Sequence, residues 1–139
     1  MLKEKITFIN LEGDEDELEA YFNLSDIEAT RLTAKYGIKG DLKKGLKAIA
    51  AEANYDKMLT VLEDIVLTAY GERNGNIGFT KSPELRQAFS NSIPYSELVT
   101  GLLTDEGKAQ SFASALFAQP GSSEAAEKVT NATVMPTNK

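Results

Sequence analysis

The sequence predicts a mainly α protein of the α+β class: an N-terminal β-hairpin, then a bundle of five or so short helices, then a flexible C-terminal tail. Three observations carry this reading. Side-chain character alternates with period two on either side of Gly13, as it does on strands whose successive residues face opposite ways. From Ser25 onward, helix-start and helix-stop signals follow one another closely. After Gln119 neither periodicity continues, and no aromatic residue occurs. The expected organisation is one globular domain over residues 1–118, with the hairpin in 1–24 and the helices in 25–118, and a flexible tail over 119–139.

In the first strand Ile6, Phe8 and Asn10 alternate with Thr7, Ile9 and Leu11. The turn is expected at Glu12-Gly13-Asp14-Glu15, where glycine is free to adopt a positive φ. The return strand is expected over Leu18 to Leu24, with Leu18, Ala20 and Phe22 on one face and Glu19, Tyr21 and Asn23 on the other. An isolated two-stranded ribbon is marginal in water, so one face must pack on helices or on a partner. Its edge also offers a docking strip for an added strand, blunted by the charged turn.

Ser25 followed by Glu28 forms a capping box, with Leu24 preceding it as a staple residue. That helix is expected to stop near Tyr36, before Gly37 and Gly40. Asp41 is a plausible cap for a second helix with Leu42, Leu46, Ile49 and Ala53 on one side, although Gly45 weakens it by about 1 kcal/mol against alanine. Asn54 either interrupts this helix or lets it continue. Tyr55 to Tyr70 is the strongest helix, with Met58, Leu59, Leu62, Ile65, Val66 and Ala69 as its stripe. Gly71 ends it, and Asn74-Gly75-Asn76 reads as a turn or loop. Ser82-Pro83-Glu84 opens a short helix with Leu85, Ala88 and Phe89 inward. Pro94 marks the start of the next, carrying Tyr95, Leu98, Val99 and Leu102; Thr104 is expected to cap the last, carrying Ala109, Phe112, Ala113 and Leu116. Pro120-Gly121-Ser122-Ser123 breaks that helix, and Val134-Met135-Pro136 is a candidate linear anchor in the tail.

Composition narrows the function. At 139 residues, 42% hydrophobic and 26% charged, the chain is ordinary globular material able to bury roughly two-thirds of its surface. Absence of cysteine removes disulfides and thiolate metal sites and fits a reducing, intracellular setting. No apolar stretch reaches the roughly 18 to 20 residues that span a bilayer, and Met1 to Lys5 has no apolar run behind it, so neither a membrane nor a secretory signal is expected. A net charge of −6 and a pI near 4.7 argue against nucleic acid as a partner. Acids crowd Glu12 to Glu28, with Asp14, Glu15, Asp16 and Glu17 in succession. The plain reading is a solvated turn; the sharper one is an electrostatic guide for a basic partner, or a weak cation site. The run lacks the spaced ligands and glycine of a calcium loop.

Catalysis has little to work with. Histidine and cysteine are both absent, removing the commonest general base, metal ligands and the best nucleophile. Glu63 and Asp64 are adjacent, so they point about 100° apart on a helix and read as a solvated flank. Gly71 to Gly78 contains neither a P-loop nor a dinucleotide fingerprint. Lys81 is placed to touch an anion at the next helix N-terminus, on weak grounds. The expectation is a protein that binds another protein, with no catalytic residue, cofactor or metal. Phe89, Tyr95, Leu98, Leu102, Phe112, Leu116 and Phe117 concentrate apolar surface in the last three helices; the set either closes a core or lines a groove for a partner helix. Phe89, Tyr95, Leu98, Leu102, Phe112 and Leu116 are the candidate partner-binding residues.

Several blocks together resemble the tail assembly chaperones of long-tailed, siphovirus-type phages. They are Phe22-Asn23-Leu24-Ser25 with Glu28, Leu67-Thr68-Ala69-Tyr70-Gly71-Glu72 and Phe79-Thr80-Lys81-Ser82-Pro83-Glu84-Leu85. Ala88-Phe89-Ser90-Asn91-Ser92, Tyr95-Ser96-Glu97-Leu98, Leu102-Leu103-Thr104-Asp105 and Phe112 follow in the family's order, over roughly residues 5 to 118. Ile93-Pro94-Tyr95 departs from the more usual alanine-tyrosine junction. The resemblance implies binding of the tape measure protein, keeping it soluble and aiding tail tube assembly in the host cytoplasm, with departure before the virion is finished. It also implies the major tail tube protein as a second partner and leaves self-association open. The alternative is a structural minor tail or tail-joint component of the virion.

Overall fold

A computed structural model of the 139-residue chain describes residues 1–38 and 42–117. Within them lie a four-stranded antiparallel sheet, in the order β1-β2-β3-β4, and six helices. The strands are β1 (Leu2–Ile9), β2 (Glu15–Phe22), β3 (Tyr70–Asn74) and β4 (Gly78–Thr80). The helices are α1 (Asp26–Lys35), α2 (Leu42–Ala51), α3 (Tyr55–Ala69), α4 (Pro83–Ser90), α5 (Ile93–Thr104) and α6 (Glu106–Phe117). The α+β class and the N-terminal hairpin are as expected; a second hairpin is not.

β1 and β2 pair along their full lengths, from Leu2 opposite Phe22 to Ile9 opposite Glu15. The turn is tighter and earlier than alternation suggested. Asn10 leaves the strand, and its side-chain Oδ1 accepts from the backbone N–H groups of Glu12 (2.9 Å) and Asp14 (3.0 Å). Gly13 adopts φ +88°, the conformation glycine was expected to supply. The return strand therefore begins at Glu15, taking in acids read as turn. They are tolerated because alternate residues face solvent: Lys3 and Lys5 reach diagonally across to Glu19 (3.7 Å) and Glu17 (3.9 Å). These exposed pairs are worth at most about 1 kcal/mol each. Ile6, Ala20 and Phe22 occupy the opposite, buried face.

The segment after α3 is a second hairpin where a loop was expected. β3 continues the sheet from β2 through Tyr21 opposite Gly71 and Phe22 opposite Tyr70, and the Asn23 N–H donates to the Ala69 carbonyl at 2.8 Å. β3 then pairs with β4 around the turn at Gly75, whose φ is +68°. Tyr-Gly-Glu-Arg-Asn has no strand pattern of its own. Tertiary pairing makes it one, and Gly71 is needed for the fit. A Cβ there would stand 2.5 Å from the Thr80 carbonyl oxygen and 2.6 Å from the Phe79 ring, closer than atoms pack.

Most helix boundaries obey the local grammar. Ser25 and Glu28 complete the capping box in both directions, and Tyr36 closes α1. Asn54 interrupts: α2 has ended and the Asn54 side chain caps α3 by accepting from Lys57 N–H. Ala53 therefore lies outside α2, exposed at φ +56°. Gly45 is buried in α2, where a Cβ would collide with the Ile38 side chain. Ser82 and Ser92 cap α4 and α5, each followed by a proline in the first turn. Asp105, not Thr104, caps α6, its Oδ1 accepting from Lys108 N–H at 3.1 Å. Thr104 is the last residue of α5, and its hydroxyl donates to the Thr100 carbonyl. The proposed Asp41 cap, Gly40, the tail over 119–139 and its Val134-Met135-Pro136 anchor lie outside the described residues.

One core joins sheet and helices, and its centre is aromatic. Phe22 is wholly buried, with ring centroids of Tyr70, Phe89 and Phe112 at 5.8, 6.1 and 5.4 Å. All three contacts are edge-to-face, the arrangement favoured by ring quadrupoles. Phe22→Ala is expected to cost about 3–5 kcal/mol, read as a lower urea midpoint with an unchanged slope.

Candidate interaction surface

The six residues singled out as a groove lining lie together, but inside. Phe89 comes from α4, Tyr95, Leu98 and Leu102 from α5, Phe112 and Leu116 from α6, and each is between 1% and 7% exposed. Phe89 stacks nearly parallel on Tyr70 at 4.0 Å and meets Tyr95 edge-on at 5.4 Å. Since α5 packs on α3, β1 and α6, these side chains are reached from outside only when those elements part.

Polar contacts hold the layers in register, and the acids of α3 are central to them. Glu63 and Asp64, expected as a solvated flank, are half-buried, and they face different neighbours because they are about 100° apart. Glu63 accepts from the Tyr95 hydroxyl at 2.6 Å, tying α3 to α5. Burial, and then that bond to a carboxylate, push the Tyr95 phenol well above its usual range. Asp64 accepts from Lys35 Nζ (2.6 Å) and the Tyr36 hydroxyl (2.5 Å), tying α3 to the end of α1. Burial works against its charge, but the hydrogen bonds from Lys35 and Tyr36 prevail and lower its pKa.

Lys81 has a structural partner in place of the anion considered for it. Its Nζ lies 2.6 Å from both the Asn23 carbonyl and Glu28 Oε1, so the residue after β4 clamps the junction of β2 and α1. Burial lowers the Lys81 pKa despite Glu28. For Glu28, burial opposes ionisation, yet the bonds from Lys81 and the Ser25 backbone outweigh it and lower the pKa. Arg86 adds a bond from Nε to the Leu67 carbonyl at 2.9 Å.

The exterior presents a different surface, at the hairpin tips. β2 and β3 pair at only two positions, and both hairpins project the same way beyond them. Between the diverging strands lies a cleft of about 520 Å³, lined by Leu18 to Tyr21 on one side and Tyr70 to Asn74 on the other. Leu11 and Ile77 stand almost fully exposed on the two tips, with Ile9 beside Leu11 at 57%. The alternation of β1 displayed Ile9 and Leu11 without saying which face was covered. Ile77 was signalled only by being a lone large apolar residue among Asn74, Gly75, Asn76 and Gly78. Among the described residues no group of three or more acids could hold a metal ion, and no helix is long and apolar enough to cross a membrane.

A family model described as phage tail assembly chaperone matches residues 1–135. No curated protein and no solved structure matches the chain.

Two outcomes test the polar contacts. Tyr95→Phe is expected to lower stability by about 1–2 kcal/mol, because it strips a half-buried carboxylate of its donor. The lowered carboxyls of Glu28 and Asp64 stabilise the fold fully above their ordinary values of 4.5 and 3.8, and that contribution is lost as pH falls through the lower folded-state values. A urea midpoint measured against pH is therefore expected to drop below about pH 4.5, and to drop less in Asp64→Asn.

Proposed function

The chain belongs to the phage tail assembly chaperone family, and from that membership we propose that its client is the tape measure protein. In this reading it holds that long apolar helical protein in solution in the host cytoplasm, brings it to tail tube subunits, and leaves before the virion is complete. The major tail tube protein is then a second, later partner. The observation that carries the reading is the family match along residues 1–135. The net charge of −6 supports it, since an acidic exterior keeps a complex with an apolar client dispersed.

The six side chains Phe89, Tyr95, Leu98, Leu102, Phe112 and Leu116 meet such a client only if α5 and α6 swing away from α3 and the sheet. Breaking the Tyr95–Glu63 bond is part of that opening. Amide exchange in α5 and α6 that quickens when client is added is the signature of this route. Unchanged exchange assigns the contact to the exterior.

Co-expression is the direct test. The tape measure protein is expected to move from the insoluble to the soluble fraction when this chain is made with it, and to elute with it on size exclusion. No gain in solubility overturns the reading. Mass spectrometry of purified virions is expected to find the chain absent; a fixed stoichiometry there makes it a structural tail component.

A further inference from the structure

We propose that the cleft between the two hairpins is a docking site for an extended, basic segment of a partner chain, added as a strand along β2. The Asn23 N–H points toward β3, where it donates to Ala69. Backbone direction alternates along an antiparallel strand, so Tyr21, Glu19 and Glu17 point their N–H and C=O groups the same way. Tyr21 uses this side for its pairing with Gly71. Beyond it, among the described residues, no strand pairs with β2 on the side away from β1. The Glu17 N–H donates to the side chain of its own neighbour, Asp16 Oδ1, at 2.7 Å, a local bond that an added strand would replace. Among the described residues β2 thus has no partner strand on this side from Glu19 toward its start, with Glu19 inside the cleft and Glu17 just beyond its lining, the geometry that accepts an added strand.

Charge selects the occupant. The hairpin beside the cleft carries Glu12, Asp14, Glu15, Asp16, Glu17 and Glu19, with no basic residue from Ile6 to Phe22. Lys3 and Lys5 offset Glu19 and Glu17 only across exposed pairs of 3.7 and 3.9 Å. The opposite wall adds Glu72, and its Arg73 is engaged by its own turn, donating to the Gly75 carbonyl and Asn76 Oδ1. A second copy adding its own β2 would set its Glu17 and Glu19 against these carboxylates, so the proposed occupant is a basic segment of a different chain. Its lysines or arginines face outward toward Glu17 and Glu19, and the alternate, apolar residues face inward beside Leu18 and Ala20. Leu11 and Ile77 flank the entrance as apolar contacts for whatever lies beyond the strand.

The client proposed above would supply this segment, so the inference rests in part on that reading, and the experiment separates the two. The intact chain is titrated with a short capped peptide alternating lysine and valine, followed by amide exchange and NMR shifts. Slowed exchange at Glu17 and Glu19, an affinity at least about tenfold weaker for the peptide N-methylated at alternate residues, and loss of binding in Glu17→Lys/Glu19→Lys are expected. Equal binding of the N-methylated peptide, protection elsewhere, or no binding overturns the site. The Glu17→Lys/Glu19→Lys variant is then co-expressed with the tape measure protein. If wild type solubilises that protein and the variant does so equally, the cleft is not its dock; if wild type fails as well, the client assignment falls, whatever the peptide shows.

Discussion

The burial of one ring governs how the two halves of this protein meet. Phe22 ends β2, and its ring is the point where Tyr70 of β3, Phe89 of α4 and Phe112 of α6 converge. β3 joins the sheet at Phe22 and Tyr21 alone, so the same residue that centres the core also anchors the second hairpin. Past that anchor the strands are free to diverge, because the helices cover only the inward face. The closed aromatic centre and the open cleft are thus two ends of one short pairing.

Three polar contacts stand where separate elements join. Lys81 fastens β4 to the start of α1, Asp64 fastens α3 to the end of α1, and Glu63 fastens α3 to α5. Each joins a half-buried carboxylate to a donor from another element, where a lost partner leaves a group that water reaches poorly. Dispersion and apolar burial hold the helices together, while these bonds decide which faces meet.

Local grammar told more about where elements begin than about what they touch. Ser25 and Ser82 announced their helices correctly, and Pro94 the start of α5, because a helix start is a matter of a few neighbouring residues. Asp105 displaced Thr104 by one position, aspartate being the stronger cap of the two. β3 was illegible because its strand character comes from β2 and from Phe79 lying over Gly71, partners more than local in origin. The same limit applied to the surface. Periodicity marked Phe89, Tyr95, Leu98, Leu102, Phe112 and Leu116 as one apolar set, and only packing shows that it closes inward. Conversely, the acids of the first hairpin read as a solvated turn; Glu15, Asp16, Glu17 and Glu19 are solvated as expected, but pairing with β1 makes them part of a strand.

The Lys81 clamp has a consequence in time. It reaches back 58 residues to Asn23 and 53 to Glu28. The Phe22 ring waits longer still, since Phe89 and Phe112 are made well after it. A ribosome adding roughly 5–20 residues per second leaves the hairpin without its cover for on the order of ten seconds. Its first-made part is therefore committed last, and the nascent chain carries a bare aromatic strand end of the kind that draws other chains. The aromatic centre cannot close before Phe112 of α6 has left the exit tunnel.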